Sequence, residues 1–173
     1  AVTAVADAIV LRSGTDPAAP TITVDGVDVS DPVRGAEVTV AVSAVSAVSG
    51  VRRRLVAQQR ELVEAASSQG GIVVEGRDVG SVVLPHAQVK IFLTADVGAR
   101  AQRRTAQDGA RGAASDVVRA DLDRRDRLDS SRQASPLVRA DDAVNVDTTD
   151  LTLQQVVDRV VGLVRAVAMD GSR

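Results

Sequence analysis

The chain has no cysteine, tryptophan or tyrosine, one phenylalanine (Phe92), one histidine (His86) and one lysine (Lys90) among its 173 residues. Without cysteine there are no disulfides and no thiolate metal site. A single histidine gives zinc sites and Ser-His-Asp chemistry almost nothing to work with. A single aromatic residue argues against reading single-stranded nucleic acid by base stacking, and a net charge of −2 adds no strong pull on polyanions. No run is long and apolar enough to span a membrane, and no secretory leader pattern is visible. These absences lead to the expectation of a cytoplasmic protein that engages neither nucleic acid nor membrane. Nearly all positive charge is arginine, a bias that a GC-rich genome produces on its own.

What is present is apolar and small. Hydrophobic residues make up 45% of the chain while aromatics make up 1%, so any core is built from Val, Leu, Ile and Ala. The length suits one domain, 1–173, with room for a small inserted lobe. Residues 1–11 read as a short helix ended by Ser13-Gly14-Thr15-Asp16-Pro17. Thr21-Ile22-Thr23-Val24 alternates with period two, Asp25-Gly26 is a hairpin turn signal, and Val27-Asp28-Val29 returns. Ser30-Asp31-Pro32 starts one or two helices that Gly50 is expected to break. Residues 51–67 read as a helix with an apolar stripe opposite its arginines. Residues 72–75 and 89–93 read as buried strands, the second followed by a Thr94-Ala95-Asp96 cap and a helix over 97–107. Residues 114–128 read as a charged helix and 143–147 as a third strand. A last helix is capped by Asp150 or Thr152, with Val156, Val157, Val160, Val161 and Val164 as its buried face. Strands alternating with helices predict an α/β fold with a mostly parallel sheet.

The most informative stretch is Val73-Val74-Glu75-Gly76-Arg77-Asp78-Val79-Gly80. An apolar run breaks at glycine and presents opposite charges side by side, as where open α/β sheets place ligands. Arg77 offers a planar fork suited to phosphate. Asp78 can accept from an amino group or a hydroxyl. The competing reading is a surface turn with an ion pair of little worth. A second concentration of charge runs from Arg100 to Arg132, with arginines interleaved with aspartates. Most of it reads as solvated helix laced with ion pairs. Arg125-Asp126-Arg127-Leu128-Asp129-Ser130-Ser131-Arg132, however, also suits a flap whose arginines close over phosphates and exclude water.

The stretch EGRDVGSVVLPHAQVKIFLTA, the Arg-rich segment after it and RDRLDSSRQASPL together resemble bacterial cytidylate kinase, and Asp25-Gly26-Val27-Asp28-Val29-Ser30 resembles that family's inserted lobe. The resemblance implies a nucleoside-monophosphate-kinase-like P-loop fold. It has a parallel sheet flanked by helices, an antiparallel CMP-binding lobe at 15–66 and an Arg-rich lid at 108–126. It implies a monomeric enzyme that moves the γ-phosphate of ATP, with Mg2+, onto CMP or dCMP. Carried onto matching positions, Ser43, Arg52 and Asp78 read the cytosine edge, Arg125 and Asp129 hold the ribose, and Arg77 and Arg132 face the α-phosphate. Arg103 and Arg104 are weaker candidates for the transferring phosphates.

The departures are as specific. No G-x-x-x-x-G-K-[S/T] loop is present, and Lys90 lies inside a strand pattern. The first helix is similar to the helix that comes directly after the family's Asp-Thr-Gly…Tyr-Arg segment. The chain is therefore expected to be truncated, to leave sheet edges unpaired, to be poorly stable and to be inactive alone. Two alternatives stand beside this: a non-catalytic CMP-binding module, and a structural α/β domain whose arginines only solvate its surface.

Overall fold

The computed structural model describes every residue except 17, 69, 109–118, 121, 125, 128–137 and 171–173, together with the side chains of all but 36, 107, 108 and 170 of those described. Within it the chain forms two compact units, Ala1–Ile72 and Val73–Arg173.

The first unit holds helix α1 (Val2–Ala8), strands β1 (Leu11–Ser13), β2 (Ile22–Val24) and β3 (Val27–Asp28), a 3-10 turn (Pro32–Arg34), and helices α2 (Ala36–Ser46) and α3 (Ser49–Ser67). The strands form an antiparallel sheet in the order β1-β2-β3. The hairpin expected at Asp25-Gly26 is there, with both residues at positive φ, 51° and 83°. That is the left-handed pair a two-residue turn needs to match strand twist. Asp25 also accepts the Val10 amide on its carboxylate at 2.7 Å and donates its own amide to the Val10 carbonyl at 2.9 Å. These bonds bring the segment after α1 alongside β2. The first helix therefore stops at Ala8, and Leu11–Ser13 is a strand where a helix end was expected. Side chains of α3 support the same segment from below: Arg54 donates to the Ile9 carbonyl and Gln58 to that of Leu11.

Gly50 does not break the helical run. It sits in the first turn of α3, and the break falls at Ala47 and Val48. Glycine is required there because α1 comes close: a Cβ at position 50 would lie 2.4 Å from Thr3 Cγ2 and 3.1 Å from Thr3 Cβ. Alanine gains about 1 kcal/mol of helix propensity, but overpacking costs about 1–3 kcal/mol. Gly50→Ala is expected to lower the thermal midpoint, and adding Thr3→Ala to restore it. A melt in which Gly50→Ala raises the midpoint by itself contradicts this close approach.

The second unit holds a single π turn (Val79–Val83), strand β4 (Ile91–Thr94), helix α4 (Val97–Asp108), strand β5 (Val144–Asp147) and helix α5 (Leu153–Asp170), with residues 119–120, 122–124 and 126–127 also helical. Strands β4 and β5 pair in parallel, with Ile91 opposite Val144 and Thr94 opposite Asp147. The architecture is α/β, with a parallel pair and a separate small antiparallel sheet. Helix α4 starts where expected, with Asp96 Oδ1 accepting the Ala99 amide at 2.6 Å. Thr152, rather than Asp150, caps α5. Its amide donates to Gln155 Oε1 at 2.8 Å while the Gln155 amide donates to its hydroxyl at 3.3 Å, a reciprocal capping box.

Two expectations fail here. Residues 72–75 form no strand, and Val73 is 94% exposed. A strand exists only through its ladder, and none of the described strands pairs with this segment. On α5, Val156, Val160 and Leu163 are half-buried, whereas Val157, Val161 and Val164 are exposed. Valine at so many positions leaves the sequence with more than one possible stripe. Among the described residues, the buried side chains of this unit are Val83, Ala101, Val146 and Thr148.

Candidate functional site

The Arg77-Asp78 pair stands at the entrance of the π turn. Gly76 before it has no room for a side chain, since a Cβ would lie 2.6 Å from Val79 Cγ2. The Asp78 carbonyl then accepts the Val82 amide at 2.9 Å and the Val83 amide at 3.3 Å, and the Ser81 hydroxyl at 3.4 Å. One widened turn is thus wound on the backbone of Asp78 and fastened by Val83, which is 2% exposed. The apolar run Val82-Val83-Leu84 belongs to the turn and its exit.

The Arg77 guanidinium is oriented from outside the turn. Its Nη2 donates to Asp126 Oδ1, and Asp126 Oδ2 accepts from Nη1 of Arg100 in the first turns of α4. All three side chains are partly buried. Three places in the chain therefore meet at one carboxylate: the loop before the π turn, α4, and the helical residues 126–127. Neither Asp126 nor Arg100 was singled out by the sequence. Arg100 lies in the charge-rich stretch that reads as solvated helix and Asp126 in the segment that also suits a flap, and their partners are 49 and 26 residues away. The only local hint was Asp126 beside Arg125 in the RDRLDSSR segment.

At the C-terminal end of the parallel pair a second network forms. Asp147 Oδ1 accepts the Thr149 amide at 2.9 Å and its hydroxyl at 2.6 Å. These two bonds, the side-chain one first, hold the Asp147 carboxyl below its usual range. Thr149 Oγ1 in turn accepts the Asp96 amide at 3.0 Å. The buried Thr148 hydroxyl donates to the Thr94 carbonyl at 3.0 Å and accepts from Arg103 Nη1 at 2.9 Å. Arg103 Nη2 also reaches the carbonyls of Thr148 and Leu151, the latter at 3.2 Å. Arg103, expected from the resemblance to meet transferring phosphates, is thus engaged with backbone in this structure. Arg104, its neighbour on α4, is exposed. Beside this network Asn145, Asp147, Leu151, Gln155 and Arg159 line an open cavity of about 300 Å3.

Lys90 is also accounted for. Its ammonium donates to the Pro85 carbonyl and pairs with Asp142 Oδ2 at 2.5 Å each, with 7% of the side chain exposed. The hydrogen bond from Lys90 holds the Asp142 carboxyl below its usual range, with smaller help from the Lys90 and His86 charges. His86 itself is exposed.

The remaining expected residues are not brought together by described contacts. Ser43 lies half-buried on α2 and Arg52 half-buried in the first turns of α3, both in the first unit. Arg125, Asp129 and Arg132, and most of the lid expected at 108–126, lie outside the described residues.

Comparison with known proteins gives a consistent answer. A family model described as Cytidylate kinase matches residues 1–166. The chain is 58% identical over 164 residues to a cytidylate kinase of Streptomyces avermitilis, covering 95% of this chain and 69% of that protein. It is 59% identical over 155 residues to one of Streptomyces griseus, covering 90% and 65%. It is 49% identical over 174 residues to one of Nocardia farcinica, covering 99% and 74%. The chain thus spans roughly two thirds to three quarters of the length of these relatives.

Proposed function

The chain belongs to the cytidylate kinase family, and from that premise we propose that its residues hold CMP or dCMP as the phosphate acceptor of an ATP-dependent transfer. The reaction forms a bond from an acceptor phosphate oxygen to the γ-phosphorus of ATP and breaks the γ-phosphorus bond to the bridging oxygen, giving the nucleoside diphosphate and ADP. Little covalent work falls to the protein; positioning and charge neutralisation dominate. The observation that carries the reading is Arg77-Asp78 at the mouth of the π turn, with Arg77 oriented through Asp126.

In this reading Arg77 and Arg132 face the α-phosphate, Arg125 and Asp129 hold the ribose, and Ser43, Arg52 and Asp78 read the base. A carboxylate accepting from the exocyclic amine, with an arginine donating to a ring acceptor, separates cytosine from uracil and purines. Arg103 would have to give up its hydrogen bonds to Thr148 and Leu151 to reach a phosphate, and Arg104 stands beside it on the exposed side of α4 as the other candidate. Magnesium accompanies ATP in this chemistry. Among the described residues, however, no group of three or more His, Cys, Asp or Glu side chains could hold a metal ion.

The 173-residue sequence contains no G-x-x-x-x-G-K-[S/T] loop, so these residues are proposed to bind CMP without turning it over alone. The same absence supports a second reading, a CMP-binding module that performs no transfer. Calorimetric titration with CMP, AMP and UMP, beside a coupled assay with ATP and magnesium, tests the first reading. The expected result is binding of CMP in preference to AMP and UMP, with no turnover. Absence of CMP binding overturns both readings. The coding sequence upstream of the Ala1 codon separates them, by encoding or not encoding a glycine-rich Lys-Ser/Thr loop in frame.

A further inference from the structure

We infer that Asp126 is a positioning residue for phosphate recognition: its carboxylate, shared between Arg77 and Arg100, sets the orientation in which Arg77 meets the phosphate of the bound nucleotide. The inference rests on the CMP reading above and assigns a role to a residue that reading does not use.

The geometry is a carboxylate with one arginine on each oxygen. Oδ1 takes Arg77 Nη2 and Oδ2 takes Arg100 Nη1. The exposures are 25% for Asp126, 37% for Arg77 and 31% for Arg100, so solvent screens the group only in part. Two guanidiniums meeting at one point repel each other. The carboxylate between them offsets that repulsion. A guanidinium is a rigid planar fork with five N–H donors. Holding one terminal nitrogen of Arg77 therefore narrows the planes and directions open to the rest. Phosphate recognition by arginine depends on that plane, because two parallel N–H donors must meet two oxygens.

The placement carries a second consequence. Arg100 is anchored in a rigid element, since its amide closes the first turn of α4 on the Asp96 carbonyl at 3.1 Å. Arg77 stands on a loop wound onto the π turn. Asp126 therefore transmits the position of α4 to a loop residue that the backbone alone leaves adjustable. The residue also sits next to Arg125. In the CMP reading, then, the residue that orients the phosphate arginine adjoins one that holds the ribose. Asparagine at 126 keeps the size and one acceptor oxygen but removes the charge. The arginines then repel, and Arg77 loses the charge-assisted bond that Asp126 gives it.

The test compares CMP with cytidine, which differ only in the phosphate. Equilibrium binding of each is measured on the 173-residue chain and on Asp126→Asn. The expected result is a loss of CMP affinity of roughly tenfold, the scale of one charge-assisted hydrogen bond, with cytidine affinity unchanged. Asp126→Glu, which retains charge and both oxygens, restores most of the loss. Should Asp126→Asn fail to fold, Arg100→Gln removes the other anchor and is expected to lower the CMP-to-cytidine affinity ratio in the same direction by about threefold. A ratio unchanged in the folded variants overturns the inference. So does a ratio that rises, which would make Asp126 a competitor of the phosphate. If the unmodified chain binds neither ligand, the CMP reading fails instead, so the two failures are distinguishable.

Discussion

Arg77→Ala is expected to weaken CMP binding by roughly 10- to 100-fold and to leave cytidine binding nearly unchanged. The residue is a fork at the entrance of the π turn, next to the carboxylate proposed to read the base. A charge-assisted hydrogen bond to phosphate contributes about 1.5–3 kcal/mol, and alanine removes all of it. The fold should survive, because Asp126 keeps its pairing with Arg100 and the turn is held by the backbone of Asp78 and the side chain of Val83. The decisive quantity is the ratio of the two affinities at one salt concentration, since phosphate recognition weakens with ionic strength. Equal losses for CMP and cytidine would mean that Arg77 supports the pocket rather than the phosphate. No loss for either would return Arg77 to the surface ion pair that its sequence also allows.

Arg103→Ala is expected to act on stability. Its guanidinium reaches the Thr148 hydroxyl and the carbonyls of Thr148 and Leu151, where β5 turns into α5. Removing it leaves those acceptors to water or to nothing. The Thr148 hydroxyl, in a residue only 5% exposed, keeps its donation to the Thr94 carbonyl. Loss of a charged donor from such a set costs about 2–3 kcal/mol, which for a chain of this size lowers the thermal midpoint by roughly 5–10 °C. Lysine, a point charge without the fork, should recover only part of it. A melt identical to that of the unmodified chain would remove Arg103 from the structure and return it to the phosphates. The resemblance placed this arginine among the ligands. Its surroundings here give it a hydroxyl and backbone carbonyls to hold.

Much of the fold could be read in advance where the cause is local. The Asp25-Gly26 turn, the Asp96 cap of α4 and the alternation of strand and helix in the second unit each arise from neighbouring residues. What could not be read depends on partners far along the chain. β1 has three residues, and its lead-in is held by Asp25, Arg54 and Gln58 rather than by any pattern of its own. Residues 72–75 have the composition of a buried strand, yet none of the described strands pairs with them. Gly50 looked like punctuation because its cause, the approach of Thr3, lies 47 positions earlier. The candidate site divides in the same way. Gly76-Arg77-Asp78 announces itself by charge after an apolar run. Asp126 looks like every other aspartate in an Arg-Asp lattice, and only the tertiary fold picks it out.

The hairpin of the first unit also sets a chemical lifetime. Asp25 is followed by glycine, the neighbour that hinders least the attack of the next backbone nitrogen on the aspartate side-chain carbon. Loss of water closes a five-membered imide, and its reopening can leave the chain running through the side chain, longer by one backbone carbon. Such a residue cannot hold the paired left-handed angles of a two-residue turn. Nor can its displaced carboxyl reach the Val10 amide as before. Ageing at this one dipeptide, without any change in mass, would therefore undo both β2–β3 pairing and the seat of β1.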